Sequence, residues 1–291
     1  MKRFLIGCGF LLALVAGVVV ALVAVSLWKG QAALPLGERV GVVELRGFIL
    51  DARPTVEALR ELAAEDEVKA VVLRVDSPGG VIAPSQEIHD EVRRTAGKKP
   101  VVVSMGALAA SGGYYVSAPA TRIVANPGTA TGSIGVIAQF KDFHVLFDKL
   151  GLRSEVVKSG PFKDSGSPFR EMTEQERAVF QGLIDDLFDQ FVSAVAEGRG
   201  MDAEEVRDLA DGRVYSGRQA LGLGLVDELG GFWDAVRVAG ELGDIEGEPK
   251  LDYRRKEPKG ILRWVLGEDA DALAPLQEAA AAPLQYALPG W

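Results

Sequence analysis

Val101-Val102-Val103-Ser104-Met105-Gly106-Ala107-Leu108-Ala109-Ala110-Ser111-Gly112-Gly113-Tyr114-Tyr115 carries the reading of the fold. Its opening, Pro100 to Ser104, is a short apolar run of the kind that forms a strand buried on both faces. From Met105 to Ala120 the residues are almost all small, apart from two tyrosines, so backbones can approach one another closely. Upstream the pattern alternates. Val40 to Leu45 reads as a strand, Thr55 to Ala64 as a helix opened by Pro54, Lys69 to Val75 as a buried strand, and Ser85 to Thr95 as a helix. Strands alternating with helices predict an α/β domain whose parallel or mixed sheet is covered on both faces.

Downstream, Arg122 to Ala125 reads as a short strand and Gly128 to Phe140 as a glycine-rich, β-like stretch. Phe143 to Leu150 reads as a helix and Arg153 to Val157 as a strand, followed by the loop Lys158-Ser159-Gly160-Pro161-Phe162-Lys163-Asp164. Thr173 to Gly198 is the clearest helix: Thr173 and Glu176 make a capping box. Its apolar stripe, Val179 through Val195, suits core packing or a subunit contact. Ser216 with Gln219 caps a short helix, and Phe232 to Leu242 forms another. Past Glu246 the pattern fades. The expected organisation is a folded domain over 40–243 and a flexible tail over 244–291. No internal repeat recurs at a fixed period.

The N-terminus has a different character. Phe4 to Trp28 is free of charge and, as a helix, about 37 Å long, enough to cross a hydrocarbon layer of about 30 Å. Lys2 and Arg3 precede it, which places residues 1–3 in the cytoplasm and the body beyond the membrane. Residues 29–39 read as a linker. The run is too long for a cleaved signal peptide, and the apolar stretch before Cys8 is too short for a lipoprotein signal. A single-pass membrane anchor, with an extracytoplasmic domain, is expected.

Of the 291 residues, 48% are hydrophobic, which supports a sizeable core, and the formal net charge of -9 argues against nucleic acid as a partner. The single cysteine, Cys8, excludes an intrachain disulfide. The two histidines, His89 and His144, sit in no ligand-spaced cluster, so neither a metal nor another cofactor is expected. His89 reads as solvated on a charged helix face, and His144 as the start of a helix. Both are poorly placed as the base of a Ser-His-Asp triad.

Ser111, between Ala110 and Gly112, suits a nucleophile at the start of a helix, with the Gly112 N–H aimed at a developing oxyanion. Read alone, the stretch equally suits a small residue at a tight helix crossing. A lysine serves as base only when neutral, which requires burial away from carboxylates. Lys163, among Gly160, Pro161 and Phe162, suits such a dry pocket, and it equally suits an exposed loop. The turn Asp76-Ser77-Pro78-Gly79-Gly80 follows a buried strand and offers the Gly80 N–H as a second oxyanion donor. Ser133, in Thr131-Gly132-Ser133-Ile134-Gly135, offers a hydrogen bond that would orient Lys163.

These segments, in unbroken order over about residues 40–235, resemble the signal peptide peptidase A family, short bacterial form, of the Clp/crotonase superfamily. The likeness also takes in Ser167 to Thr173 and Gly198 to Asp227. It implies a Clp/crotonase-like fold of mixed sheets and surrounding helices. It implies a serine endopeptidase with Ser111 as nucleophile, Lys163 as general base, and Gly80 and Gly112 as oxyanion donors. The substrates implied are remnant signal peptides and misfolded membrane-associated chains, and the assembly a homo-oligomer, an octameric ring. Two other classes share the fold. A crotonase-like acyl-CoA enzyme leaves the serine–lysine pair unexplained, and an inactive ring scaffold predicts that Ser111→Ala changes nothing.

Overall fold

The structure, a computed structural model, describes residues 37–254 and, as a strand, 284–287. The expected anchor over 4–28 lies outside the described residues, among which no helix is long and apolar enough to cross a membrane. The strands are β1 Arg39–Arg46, β2 Val68–Ser77, β3 Gly79–Val81, β4 Val101–Ala110, β5 Arg122–Ala125, β6 Ala130–Gly132, β7 Ile137–Ala138, β8 Val214–Ser216, β9 Glu228–Leu229, β10 Lys250–Tyr253 and β11 Leu284–Ala287. The helices are α1 Arg53–Ala64, α2 Ile82–Ala96, α3 Gly112–Ser117, α4 His144–Lys149, α5 Glu174–Arg199, α6 Ala203–Leu209, α7 Gly217–Gly222 and α8 Phe232–Leu242.

Parallel strands in the order β10-β1-β2-β4-β5-β9 form the main sheet. Successive side chains of a strand point to opposite faces. Val40, Val42, Ala70, Val72 and Val102 accordingly pack with Ala235 and Ala239 of α8 on one face. Val43, Val71, Leu73 and Val103 pack on the other with Leu59 and Leu62 of α1 and Ile88 of α2. The expected α/β domain with both faces covered is the observed one, and β6 with β8 adds an antiparallel pair that makes the sheet mixed.

β4 runs further than the apolar run alone suggests. Its first half pairs with β5 through Met105, and its end, Leu108 to Ala110, pairs with β6. The small residues from Gly106 onward lie where the strand changes partner. A Cβ on Gly106 would come within 2.8 Å of the Asp76 carboxyl carbon. A second, three-stranded sheet, β3-β11-β7, is antiparallel throughout.

Three expectations change. Arg153 to Val157 forms no strand and pairs with none of the described strands; Val156 and Val157 are exposed, so their apolar side chains bury against no sheet face. The folded body extends past residue 243, since β10 pairs with β1. The expected flexible tail therefore contains an edge strand of the main sheet and, at 284–287, the middle strand of the second sheet. In α5 the apolar stripe divides: Phe191, Val192 and Val195 are in the core, whereas Val179 and Leu183 are exposed.

The β10 edge is fastened by charge. Buried Arg39 donates to Asp252 at 3.0 Å and to Glu65 at 2.7 Å, and Arg254 donates to Asp252 at 2.9 Å. Removing one partner of such a buried set leaves an uncompensated charge. Asp252→Ala is expected to lower the unfolding free energy by about 3 kcal/mol in chemical denaturation. A loss under about 1 kcal/mol would show that β10 is held by its backbone pairing alone.

Candidate active site

At the end of β4 the chain leaves its extended conformation abruptly. Ser111 has φ 53° and ψ -117°, and α3 begins at the next residue. A non-glycine residue there carries strain of about 1–3 kcal/mol. Two hydrogen bonds hold it: the Ser111 N–H donates to the Gly132 carbonyl at 2.7 Å, and the Tyr115 N–H donates to the Ser111 carbonyl at 2.8 Å. Ser111 is buried, yet its hydroxyl makes no hydrogen bond to a described residue. Space beside it is made by glycine: a Cβ on Gly113 would lie 2.8 Å from the Ser77 carbonyl oxygen.

The Asp76–Gly80 turn is welded to the same place. The Leu108 N–H donates to Asp76 Oδ1 at 3.1 Å, and the Gly79 N–H donates to Ser77 Oγ at 3.1 Å. Gly79 takes φ +103°, which L side chains rarely adopt. Ile49 grips the next two peptides: its N–H donates to the Gly79 carbonyl at 2.9 Å, and its carbonyl accepts from the Val81 N–H at 2.8 Å. In a planar trans peptide the carbonyl and the following N–H point in opposite directions. The Gly80 N–H and carbonyl are therefore both turned away from Ile49, towards the second sheet. A Cβ at Gly80 would meet the Ile49 carbonyl oxygen at 2.2 Å, so no other residue fits.

Ser133 is buried at φ 50°, its N–H donating to the Arg213 carbonyl at 2.9 Å. It follows Gly132, the residue that holds Ser111. Ser111, Gly112, Gly80 and Ser133 thus gather around one strand–helix corner, with α3 packed on β3.

Lys163 is not among them. It lies in an exposed turn, its backbone N–H donating to the Gly160 carbonyl at 3.2 Å. Its side chain makes no hydrogen bond or ion pair to a described residue. Among the described residues the dry pocket expected of its neighbours is not formed: Val156, Val157, Phe162 and Phe169 are exposed around it in the sequence.

Asp164 does not neutralise Lys163. It accepts from Arg170 at 3.0 Å and pairs with Lys158. Arg170, and then Lys158, hold the Asp164 carboxyl down to about 2. Arg170 also bonds Glu176 at 2.9 Å, and Glu176 accepts the Thr173 N–H of the capping box. The Glu176 carboxyl is lowered, first by Arg170 and then by that N–H. The capping box was legible at Thr173 and Glu176. Its tie through Arg170 to the Lys163 loop was not, because nothing in the spacing marks Arg170 as the bridge.

The histidines stand apart. His89 is buried rather than solvated, since its side of α2 packs on Tyr115, with ring centroids 4.8 Å apart. Burial pushes its imidazole below the usual histidine range. His144 bonds Asp142 at 2.7 Å. Among the described residues no group of His, Cys, Asp or Glu could hold a metal ion.

The sequence profile of peptidase family S49 matches residues 93–246, a stretch that includes Ser111, Ser133 and Lys163. The chain belongs to peptidase family S49. A Clp protease profile matches residues 50–132 of this S49 chain, taking in Gly80 and Ser111. It is 39% identical over 234 residues to a candidate protease of Synechocystis, covering 80% of this chain and 84% of that protein. It is 43% identical over 210 residues to a candidate signal peptide peptidase, SppA, of Enterococcus faecium, covering 71% of this chain and 60% of that protein. Protease 4 of Salmonella typhi is 36% identical over 260 residues, covering 82% of this chain but 42% of the longer relative. Family and fold together make this S49 chain a serine protease.

The Arg170 clamp has a pH signature. Both carboxylates have lowered folded-state pKa values, so their contribution is present above the ordinary carboxylate range and is lost as pH falls towards about 2. Protection of residues 153–172 from limited proteolysis is expected to be level from pH 8 to pH 5 and to vanish only in stronger acid. Arg170→Ala is expected to raise cleavage there about tenfold at pH 7. An unchanged rate in that variant would mean the clamp does not order the loop.

Proposed function

We propose that this S49 protease is a membrane-anchored endopeptidase that uses a serine–lysine dyad. Ser111 is the nucleophile and Lys163 the general base. The observation that carries the reading is the strained corner at the buried residue Ser111, between two glycine-lined backbone turns, whose hydroxyl makes no hydrogen bond to a described residue. Lys163 takes the Ser111 proton as Oγ attacks the scissile carbonyl. The N–H groups of Gly80 and Gly112 receive the oxyanion, and Lys163 returns the proton to the leaving amine. Water then splits the acyl-enzyme. Ser133, one residue beyond the Ser111 contact, orients the lysine.

A solvated ammonium is no base, so an exposed Lys163 must be covered before it acts. The exposed apolar side chains of the same region, Phe143, Leu146, Leu150, Val157 and Phe162, give it a surface to be covered with. We assign that cover to neighbouring protomers in a homo-oligomer, an octameric ring by resemblance. Such an assembly desolvates Lys163 and brings it to a Ser111 corner. The substrates are extended apolar peptides, remnant signal peptides and misfolded membrane-associated chains, bound against a strand edge. Residues 4–28 anchor the chain, with the N-terminus cytoplasmic and the peptidase domain on the far side.

Turnover of an apolar reporter peptide by the full chain in detergent is the test. Ser111→Ala and Lys163→Ala are each expected to lower kcat by about 10³-fold or more, with an unchanged circular dichroism spectrum, because the two groups act as a unit. Near-wild-type turnover in either variant would overturn the dyad.

A further inference from the structure

Tyr115, whose N–H holds the Ser111 carbonyl, is itself gripped by side chains. Its ring meets the His89 imidazole of α2, centroids 4.8 Å apart, and meets Phe191 of α5 edge-on at 4.9 Å. Its hydroxyl is hydrogen-bonded to Gln86, three residues before His89 on α2. Gln86 in turn donates to Gln190 of α5 at 2.8 Å. α2 begins at Ile82, two residues beyond Gly80, and the Ser85 hydroxyl of its first turn donates to the Val81 carbonyl at 2.9 Å. One helix therefore braces the Gly80 turn at its start and the Ser111 corner, through Tyr115, near its middle.

His89 is an unusual brace. Its ring is buried. Nδ1 lies 3.3 Å from Asp90 Oδ1 and donates to it when it carries the ring hydrogen. Nε2 is buried and has no hydrogen-bond partner among the described residues. In the neutral ring Nε2 then holds only a lone pair. Protonation would place an N–H and a positive charge there with no acceptor, at the cost of a buried charged donor left unpaired. Burial accordingly pushes the imidazole below the usual histidine range, against the pull of Asp90. The charged groups that act on the ring are Asp90 and Arg93 of α2 and Glu197 of α5. Arg93 donates to Asp90 at 3.2 Å and to Glu197 at 3.3 Å, which draws both carboxylates away from the imidazole. From α3 comes Tyr115, whose phenol is pushed up by burial and stays neutral.

We propose that neutral His89 is a positioning residue of the protease: it holds Tyr115, and through Tyr115 the Ser111 corner, and its protonation releases both. This role rests on Ser111 being the nucleophile. Once protonated, Nε2–H needs an acceptor, and water supplies one when the ring turns out of the contact between α2 and α3. Tyr115 then loses one of its two ring neighbours, and its bond to the Ser111 carbonyl no longer keeps Ser111 at φ 53°. No covalent bond changes; one proton is taken from solvent and returned when the pH rises. Because the folded imidazole lies below its ordinary value, the brace is complete above the ordinary histidine range and is lost as pH falls through the lowered value. Lys163 must also shed a proton to act, so a variant that cannot titrate at position 89 separates the two effects.

His89→Phe keeps a ring against Tyr115 and removes the titration. Two measurements on the full chain in detergent test the role. One is hydrolysis of the apolar reporter peptide at pH 8 and pH 5. The other is amide hydrogen exchange of residues 111–118 over the same range, corrected for the intrinsic pH dependence of exchange. The ratio of turnover at pH 8 to turnover at pH 5 is expected to be about tenfold larger in the wild type than in His89→Phe. Protection of 111–118 is expected to fall reversibly in acid in the wild type and to hold in the variant. Equal turnover ratios, or wild-type protection that ignores pH, would overturn the role. Should His89→Phe fail to fold, C2–H exchange of the two wild-type histidines, read by mass spectrometry, decides. The His89 midpoint is expected below that of His144, which Asp142 raises, and protection of 111–118 is expected to fall at the His89 midpoint. Coincident midpoints, or protection that stays level through the His89 midpoint, overturn it. A wild type that never hydrolyses the reporter while protection responds as expected refutes the dyad reading and leaves the His89 brace standing.

Discussion

The hydrogen bond from the Ser111 N–H to the Gly132 carbonyl, 2.7 Å long, joins two strand ends where the chain turns sharply. Without it and the Tyr115 contact, Ser111 would relax from φ 53° to an ordinary extended or helical conformation, and its hydroxyl would move. The rest of the domain is arranged to keep that bond. β4 lies at the centre of the main sheet, gripped first by β5 and then by β6. Thr131 Oγ1 donates to the Ala109 carbonyl at 2.7 Å, tying the two strands again one residue before the corner. On the opposite side, Ile49 fixes the Gly79–Gly80 peptide so that one N–H points out of the scaffold. A strained serine and an outward N–H both come from backbone geometry that a rigid sheet imposes, a setting that would suit the stabilisation of a charge existing only in a transition state.

The chemistry divides between a rigid half and an exposed half. Ser111, Gly112, Gly80 and Ser133 belong to buried elements. Lys163 belongs to a surface turn, and the surfaces near it in sequence are apolar and uncovered. Arg170 resolves part of this contrast: it draws Asp164 away from Lys163 and ties the loop to the capping box of α5. Among the described residues the Lys163 side chain is thereby left without a carboxylate partner, and none of them buries it.

Much of this was legible in the sequence, for identifiable physical reasons. The buried strands at Lys69–Val75 and Pro100–Ser104 declare themselves because apolar runs between turn residues have few other uses. Thr173 with Glu176, and Ser216 with Gln219, predict helix starts because a capping box is a local event, and both boxes are formed. The non-local features were hidden. Lys250–Tyr253 carries no strong strand pattern, and its place is decided by Arg39, more than two hundred residues away. Leu284–Ala287 becomes a strand because two waiting edges satisfy its backbone. Arg153–Val157 looks like a strand by composition and pairs with no described strand. His89 was misread for the same reason: its neighbours in sequence are charged, but its neighbours in space are Tyr115 and the core.

The central claim is that Ser111 Oγ forms a covalent bond to substrate. An activated peptide ester, mixed with the full chain, quenched in acid and digested, allows the acyl group to be located by mass spectrometry. The account predicts an acyl adduct on Ser111, formed in the wild type and absent from Lys163→Ala. An adduct on another residue, or turnover of the ester with Ser111 never modified, would contradict it.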